Sequence, residues 1–520
     1  MTPEAELLDV IVRFRQQVDR LSVWKAGHDR LHALLRMALL PRAESARRGL
    51  EVMDFPWESL VELMVRWHFD HPLGDEICHE ADVYKALELA TQFMRLDPLE
   101  TAIRAGTYRI RKNSGAFKLS YQWDMAPEVA DMYLERKLRP FEMQRPSSAE
   151  VDWASSQSRE HLNRFVPPVE LLSAASSRAL SAMTNFRAYR PEGTLPNDFD
   201  LGEGLTVEAM TAVIATLMGM AELGELAHRR VAYPGTMMFH ALRTVIVDLV
   251  SQINPSLSER IIEVALDRLM VGPRRSLRTS LLIPNGDFIS ILPLLMFPRV
   301  LDASMLRTAA SDTSLFGPIG KRQGERATAL AGWLRLIPGV KVLEGLKIKD
   351  ENRKLLGDLD VVAVDPLLGK GVILEVKWPI EAVTISDVRS TDNWIVKGAE
   401  QLDGLRERVR ARGELVKFPP GWPSFDSVEW EWCVCTSDQL SPRPLSHSDM
   451  MATSFRYLAS LGAASDLNEV IGILHSPDYP KRGLHFEIRP TNFRFGRHIF
   501  NVDSIILLDV EWSPAFRSVE

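Results

Sequence analysis

The sequence predicts a multidomain protein in which a mostly α-helical N-terminal two-thirds precedes a C-terminal α/β domain with a mixed central sheet. Two patterns support this division. In the first part, apolar residues recur at helical spacing, as at Leu7, Ile11, Phe14 and Val18. In the last part, short β-branched runs alternate with amphipathic stretches, which is typical of a domain that combines strands with helices.

Changes in composition divide the chain further. Residues 1–145 and 169–315 are expected to be two helical regions, and the Ser- and Pro-punctuated residues 146–168 are expected to link them. Residues 316–520 are assigned to the α/β domain. Within the second helical region, residues 205–227 are rich in Met, Ala and Leu, which predicts a buried helix.

The composition is that of a soluble globular protein, with 46% hydrophobic and 25% charged residues. The N-terminus lacks the pattern of a signal peptide, and no apolar run approaches the length of a membrane span. We therefore expect a cytoplasmic protein with no membrane partner. Three cysteines do not make a disulfide framework, and Cys433 and Cys435 are expected to be core residues on one strand face.

The net charge of −7 argues against a protein that coats nucleic acid broadly, although a local basic track is sufficient for phosphate contacts. Residues 104–118 and 273–278 are two such tracks. The first contains the candidate nucleic-acid-binding residues Arg109, Arg111 and Lys112. The alternative is that both tracks are solvated loops.

Residues 67–80 concentrate His, Cys and carboxylate side chains, all of which can bind zinc. Their spacing matches no recurrent zinc pattern. Pro72 and Gly74 instead indicate a loop between two helices, which is the interpretation that we favour.

The stretch around which the C-terminal domain is organised is residues 357–378. It predicts two adjacent strands, 359–364 and 372–378, joined by a turn. Three charged residues lie inside this otherwise apolar hairpin: Asp360, Glu375 and Lys377. Charges inside a buried hairpin are unfavourable unless they are paired or bound to a metal.

Two carboxylates on neighbouring strands can hold a hard divalent cation such as Mg²⁺, which prefers oxygen ligands and keeps several waters. Such an ion polarises a phosphoryl oxygen and lowers the pKa of a bound water. Lys377 follows Glu375 on the same strand face, in a position to orient or deprotonate the attacking water. These residue types therefore favour phosphodiester hydrolysis. The alternative is that they are solvated positions on an exposed sheet face.

Asp360, followed after fourteen intervening residues by Glu375-Val376-Lys377, resembles the D-x(n)-E-x-K signature of the PD-(D/E)xK, or restriction-endonuclease-like, nuclease superfamily. The resemblance covers about the last two-fifths of the chain. It implies that Asp360 and Glu375 bind Mg²⁺ or Mn²⁺ and that Lys377 is the catalytic lysine.

The resemblance also implies roles for residues outside the motif. Asp358 and Glu325 would be additional acidic residues at the metal. Gln401, on the helix that follows the hairpin, would face the catalytic centre. Lys397, one turn earlier on that helix, is a candidate nucleic-acid contact.

The usual core of the superfamily is a helix, three strands, a helix and a fourth strand, and the sequence around the motif is similar to that order. The predicted elements are a helix at 324–336, a strand at 340–348, a long helix at 385–412 and a strand at 428–436. The expected C-terminal elements are a helix near 448–461 and strands at 484–488, 494–501 and 504–510. The last two strands could extend the same sheet.

The leading functional hypothesis is a metal-dependent DNA endonuclease, with RNA as an open alternative substrate. Its helical part would select the substrate or a partner, and the combination resembles effectors of restriction or anti-phage defence. The alternative is a nuclease-fold protein that no longer cuts and serves as a nucleic-acid-binding or assembly scaffold. Partner proteins and a homo-oligomer both stay open.

Overall fold

The computed structural model describes residues 2–47, 57–113, 115–137, 144–157, 164–188, 195–230, 238–272, 280, 282–292, 301–310, 320, 327–380, 385–445 and 450–515. Contacts divide the chain into two compact units. The helical unit comprises residues 5–100 and 139–319. The α/β unit comprises residues 1–4, 101–138 and 320–520. Residues 101–138, which the sequence groups with the N-terminal helices, thus belong with the C-terminal part.

The described helices, in chain order, are α1 (Pro3–Asp19), α2 (Arg30–Arg47), α3 (Trp57–Asp70), α4 (Glu80–Phe93), α5 (Asp97–Arg104), α6 (Ala126–Lys137), α7 (Ser148–Ser155), α8 (Val169–Ala188), α9 (Val207–Arg230), α10 (Arg243–Ile253), α11 (Glu259–Leu269), α12 (Leu301–Ala310), α13 (Ala327–Arg335), α14 (Ile385–Ala411), α15 (Phe455–Ser460) and α16 (Leu467–His475).

The described strands are β1 (Tyr108–Asn113), β2 (Ala116–Tyr121), β3 (Phe239–Leu242), β4 (Leu282–Asn285), β5 (Phe288–Ile291), β6 (Lys341–Lys349), β7 (Leu355–Asp365), β8 (Lys370–Lys377), β9 (Glu429–Thr436), β10 (Met451–Ser454), β11 (Phe486–Phe495) and β12 (His498–Leu507). The mixed α/β composition that the sequence predicts is confirmed.

The helical unit has the amphipathic helices that the periodicity predicts, and the apolar positions of α1 are buried. It also contains an antiparallel sheet of order β3-β5-β4, which the sequence did not reveal. The expected linker includes α7, whose N-cap Ser147 and third helical residue Glu150 form a reciprocal capping box. A helix of only about two turns contains too few repeats of the helical period to be predicted from the apolar pattern of the sequence.

The helix predicted over residues 205–227 is confirmed as α9. Its segment Val207–Ala227 is long and apolar enough to cross a membrane, with a mean hydropathy of 1.3, and 83% of its most apolar window is buried inside the protein. The central helix of a protein core has the same length and composition. Burial on this scale explains why this helix is apolar around most of its circumference.

The central sheet of the α/β unit has the strand order β10-β9-β8-β7-β6. Strands β6, β7 and β8 are antiparallel neighbours, whereas β8, β9 and β10 run parallel. The sheet is buried on both faces. Val361 and Leu374 pack with α13 in one apolar cluster, and Val362 and Ile373 pack with α14 in the other. Burial on both faces accounts for the continuous apolar runs of β7 and β8.

The sequence predicts these central elements closely. The helices expected at 324–336 and 385–412 correspond to α13 and α14, and the strands expected at 340–348 and 428–436 correspond to β6 and β9. Cys433 and Cys435 are fully buried in the same cluster, as expected. Residues 448–461, expected to be helical, instead contain the short strand β10 before α15.

The C-terminal strands do not extend the central sheet, which corrects our expectation. β11 and β12 pair with each other, and β12 pairs in parallel with β2, which gives a separate sheet of order β1-β2-β12-β11. This pairing joins residues 116–119 to residues 499–502. No local pattern in the sequence encodes a contact across nearly four hundred residues.

Candidate catalytic site

The candidate site lies on the β7–β8 hairpin. The connecting turn is held by Asp365, whose Oδ1 accepts hydrogen bonds from the backbone N–H groups of Leu367 at 2.9 Å and Leu368 at 3.1 Å. Gly369 adopts a positive φ of 62°, a conformation that favours glycine. These local interactions fix the register that brings the motif residues of the two strands to neighbouring positions.

The two strands separate at the motif. Their ladder runs from Asp365↔Lys370 to Val361↔Leu374 and does not continue to the next pair of positions, Asp360 and Glu375. The Asp360 Oδ2 atom instead accepts a hydrogen bond of 2.7 Å from the backbone N–H of Val376. A carboxylate thus takes the place of a backbone acceptor, because the diverging strands leave that N–H without a partner in β7.

Lys377 links the second strand to the following helix. Its Nζ donates to Glu375 Oε1 at 2.6 Å and to Gln401 Oε1 at 2.8 Å. The Lys377 and Glu375 side chains are 19% and 12% exposed, so the ion pair is largely shielded from water. The pairing of β8 with β9 continues as far as Lys377↔Thr436. This pairing keeps the end of β8 extended where it no longer pairs with β7.

Both motif carboxyls have raised pKa values. Burial is the main cause of the raised pKa of Asp360, and the negative charge of Asp358 raises this pKa further. The Val376 N–H and Lys377 favour the ionised form and oppose the increase. For Glu375, burial comes first and the charge of Asp360 second, and Lys377 opposes both. One ammonium group therefore does not compensate the local negative charge.

Helix α14 approaches the site at Gly398. A Cβ atom at this position would lie 3.0 Å from Val434 Cγ1 and 3.2 Å from both Cγ and Cε of Lys377. The missing side chain therefore lets the lysine stem run against the helix backbone, toward Gln401 one turn further on. A glycine in a helix interior is unfavourable by about 1 kcal/mol relative to alanine, and this close approach gives it a structural reason.

The remaining residues predicted for the site are placed as follows. Asp358 is exposed, and its charge raises the pKa of both motif carboxyls. Glu325 lies outside the described residues. Lys397 is exposed, and its Nζ lies 5.2 Å from the ring centroid of Trp394, whose indole is 47% exposed. Trp394, Lys397 and Gln401 occupy positions i, i+3 and i+7 of α14, so all three lie on one side of the helix.

Within the described residues, no group of three or more His, Cys, Asp and Glu side chains is arranged to hold a metal ion. The Asp360–Glu375 pair by itself still fits Mg²⁺, which is usually bound by one or two carboxylates together with substrate phosphates and water. Two partly buried carboxylates with raised pKa values also make a site where an added cation is favourable.

The three candidate residues of the first track, Arg109, Arg111 and Lys112, lie on strand β1 of a hairpin and not in a loop. Arg109 and Arg111 point to one face of the sheet, and Lys112 points to the opposite face. There its Nζ lies 5.4 Å from the ring centroid of Phe117. The structure therefore does not bring Lys112 together with the two arginines. The second track, residues 273–278, lies outside the described residues.

Residues 67–80 form the end of α3 and the loop to α4, which is the interpretation that the sequence favours. The buried Arg30 donates to His68 Nδ1 at 3.1 Å and to the carbonyl oxygens of His68 and His71, both at 2.9 Å. Burial and the Arg30 charge lower the pKa of His68 to about 4. A neutral histidine that accepts a hydrogen bond here holds the loop in place.

Comparison of the chain with protein-family models, with curated proteins and with solved structures finds no match. The functional argument therefore depends on the geometry of the site.

Sequence reasoning missed two features of the site, the Val376 N–H that holds Asp360 and the close approach at Gly398. The first has no sequence signal because it depends on the separation of the strands. The second had one, since a glycine in the middle of a predicted helix often marks close packing.

Proposed function

We propose that the α/β unit hydrolyses nucleic-acid phosphodiester bonds, with DNA as the substrate and Mg²⁺ or Mn²⁺ as the cofactor. The observation that carries the proposal is the position of the Lys377 ammonium, which is hydrogen bonded to both Glu375 and Gln401 beside a second partly buried carboxylate, Asp360. Partly buried charges of this kind are unfavourable for folding, and carboxyls with shifted pKa values are concentrated at functional sites.

Each residue has a chemical task in this proposal. Asp360 and Glu375 would hold the cation, which supplies a water of lowered pKa and polarises the scissile phosphate when bound. Asp358 adds negative charge at the mouth of the site. Lys377 orients the attacking water and stabilises charge on the phosphate. Gln401 holds the Lys377 ammonium in position from the neighbouring helix.

The fold around the site supports a restriction-endonuclease-like assignment. A mixed five-stranded sheet lies between α13 and α14, and the motif residues occupy two adjacent central strands, as the resemblance implies. We further propose that Lys397 and the exposed Trp394 contact the nucleic acid beside the cut, because a cation and an aromatic ring suit phosphate and base, respectively.

Within this proposal the helical unit selects the substrate or recruits a partner, and the protein acts as an effector of restriction or anti-phage defence. A nuclease-fold scaffold that does not cut is the second candidate. Its support is that the described residues offer no cluster of three metal-ligating side chains. The two candidates differ in one measurable property, the cleavage of nucleic acid.

The test is cleavage of plasmid, linear duplex and single-stranded DNA and of RNA, with Mg²⁺, with Mn²⁺ or with EDTA. The proposal expects metal-dependent cutting of DNA by the wild type. Glu375→Gln should reduce the rate by about a thousandfold, since the loss of metal assistance removes several kcal/mol of transition-state stabilisation. Equal cutting by both proteins would contradict the site assignment. No cutting by either would favour the scaffold.

A further inference from the structure

One face of the four-stranded sheet is polar and basic. Its residues come from β1 and β2, early in the α/β unit, and from β11 and β12, near its C-terminal end. Residues opposite one another in the register share a face of a sheet. One row across all four strands is Arg111, Lys118, Asn501 and Asn492. The adjacent row on the same face is Asn113, Ala116, Ile499 and Arg494. We call these two rows the basic face.

The basic face is open to solvent. The side chains of Arg111, Lys118 and Arg494 are exposed, and Ile499 is 49% exposed. Neither row contains a carboxylate. Three cations without an acidic residue among eight positions contrast with the chain as a whole, whose net charge is −7. Such a local excess of positive charge favours a polyanionic ligand.

The next row on this face begins with Arg109, opposite Ser120. It also contains Asp503, which lies opposite Pro490. The Asp503 Oδ2 atom accepts a hydrogen bond of 3.3 Å from the Tyr121 backbone N–H. This carboxylate is therefore engaged at the border of the basic face, and Arg109 extends the positive charge along β1.

The opposite face of the same sheet is aromatic. Phe117, Phe500 and Phe493 stack in sequence across it, with ring centroids 5.6 Å and 4.9 Å apart. Tyr108 and Tyr121 stack at 4.9 Å on that face as well. The basic face consequently has cations and amides but no aromatic ring in either row. Single-stranded nucleic acid is usually bound through base stacking on aromatic side chains, whereas a duplex is bound through its phosphates.

The dimensions of the face suit a duplex. Arg111 on β1 and Arg494 on β11 lie at the two edges of the sheet, separated by three inter-strand spacings, or about 14 Å. This separation is close to the width of the major groove of DNA, about 12 Å, which lies between two rows of phosphates. Cations at both edges, with amides between them, can thus contact phosphates on both sides of one groove.

We propose that the basic face binds the phosphate backbone of double-stranded DNA and so anchors the substrate on the unit that carries the candidate catalytic site. The proposal assumes the nucleic-acid ligand of the proposed function, but it does not depend on cleavage. The contacts involve phosphates and no bases, so binding should be independent of sequence and strongly dependent on salt.

The experiment measures binding of the full-length protein to a short fluorescent duplex by anisotropy in EDTA, between 50 and 200 mM salt. The test variant is Arg111→Gln/Arg494→Gln. The slope of log affinity against log salt is negative, and each lost phosphate contact lowers its magnitude by about 0.9. The magnitude should therefore fall by about 2, and the variant should lose about tenfold less affinity than the wild type over this salt range.

The matched control is Lys112→Gln/Arg489→Gln, which removes two charges from the same two strands on the opposite face. This control should retain the wild-type slope, and thermal melting checks that both proteins fold. Equal effects of the two variants, or none, would overturn the proposal, as would tighter binding of single-stranded DNA or of an RNA duplex. Because cleavage is measured separately, failure of the nuclease assignment leaves this result interpretable.

Discussion

Gly398 of α14 lies against the aliphatic part of Lys377, so close that an added Cβ would approach two carbons of the lysine side chain at 3.2 Å. The helix backbone and the lysine stem thus share a boundary with little free space. The position of the ammonium group depends on the absence of a side chain one turn away from Gln401. We regard Gly398 as a positioning residue.

Gly398→Ala should lower the cleavage rate by about ten- to a hundredfold, because small displacements of a catalytic group have effects of this size. Its effect on stability should be small, since the gain in helix propensity, about 1 kcal/mol, offsets the tight contact. Single-turnover cleavage and denaturant unfolding measure the two effects.

Gly404→Ala is the matched control on the same helix, because a Cβ at Gly404 would meet no atom within 4 Å. It should raise the free energy of unfolding by about 0.5–1 kcal/mol and leave cleavage unchanged. If both alanines affected cleavage equally, helix flexibility and not the Gly398–Lys377 contact would be responsible.

Asp360→Asn should stabilise the metal-free protein at neutral pH. The folded-state pKa of Asp360 is raised, so its contribution to stability is present below the unfolded pKa and is lost as the pH rises through the folded pKa. The neutral amide avoids this loss. A gain of about 1 kcal/mol corresponds to roughly 2–4 °C in Tm for a unit of this size.

The same melting experiment tests the metal. Mg²⁺ should raise the Tm of the wild type in EDTA-free buffer, because a ligand that binds only the folded state stabilises it by mass action. The increment should be smaller for Asp360→Asn. An identical response of both proteins to Mg²⁺ would show that the ion binds elsewhere.

Lys377→Met should lower the cleavage rate and move its pH dependence to higher pH. Lys377 opposes the burial and the Asp360 charge that raise the pKa of Glu375, so removing it raises this pKa further. More alkaline solution is then needed to ionise Glu375. A pH–rate profile between pH 5 and 9 measures the shift, and an unchanged profile would mean that Glu375 ionisation does not limit the reaction.

Gln401→Ala should reduce the cleavage rate by about tenfold, which is a smaller loss than that expected for Lys377→Met. In Gln401→Ala, Lys377 keeps its ion pair with Glu375 and loses only one hydrogen bond of 2.8 Å. Glu400→Ala provides the control, as Glu400 is the exposed neighbour on the same helix. A rate for Gln401→Ala below that of Lys377→Met would contradict this order of effects.

The sequence by itself determined the central elements of the α/β unit. The apolar, largely β-branched stretches of β7 and β8 predict two adjacent strands, and the 3.6-residue period predicts α14. The charges at Asp360, Glu375 and Lys377 are conspicuous in sequence because they interrupt those runs. Local pattern is sufficient here, since turn chemistry at Asp365 and Gly369 fixes which residues are neighbours.

Only the tertiary structure decided what depends on distant parts of the chain. The pairing of β2 with β12 assembles the basic face from Arg111, Lys118 and Arg494. The hydrogen bond from Val376 N–H to Asp360 requires two strands that diverge. Helices and hairpins form through interactions between near neighbours, which sequence patterns record. Pairing between remote strands is set by the packing of the whole unit, for which a single sequence carries no local signal.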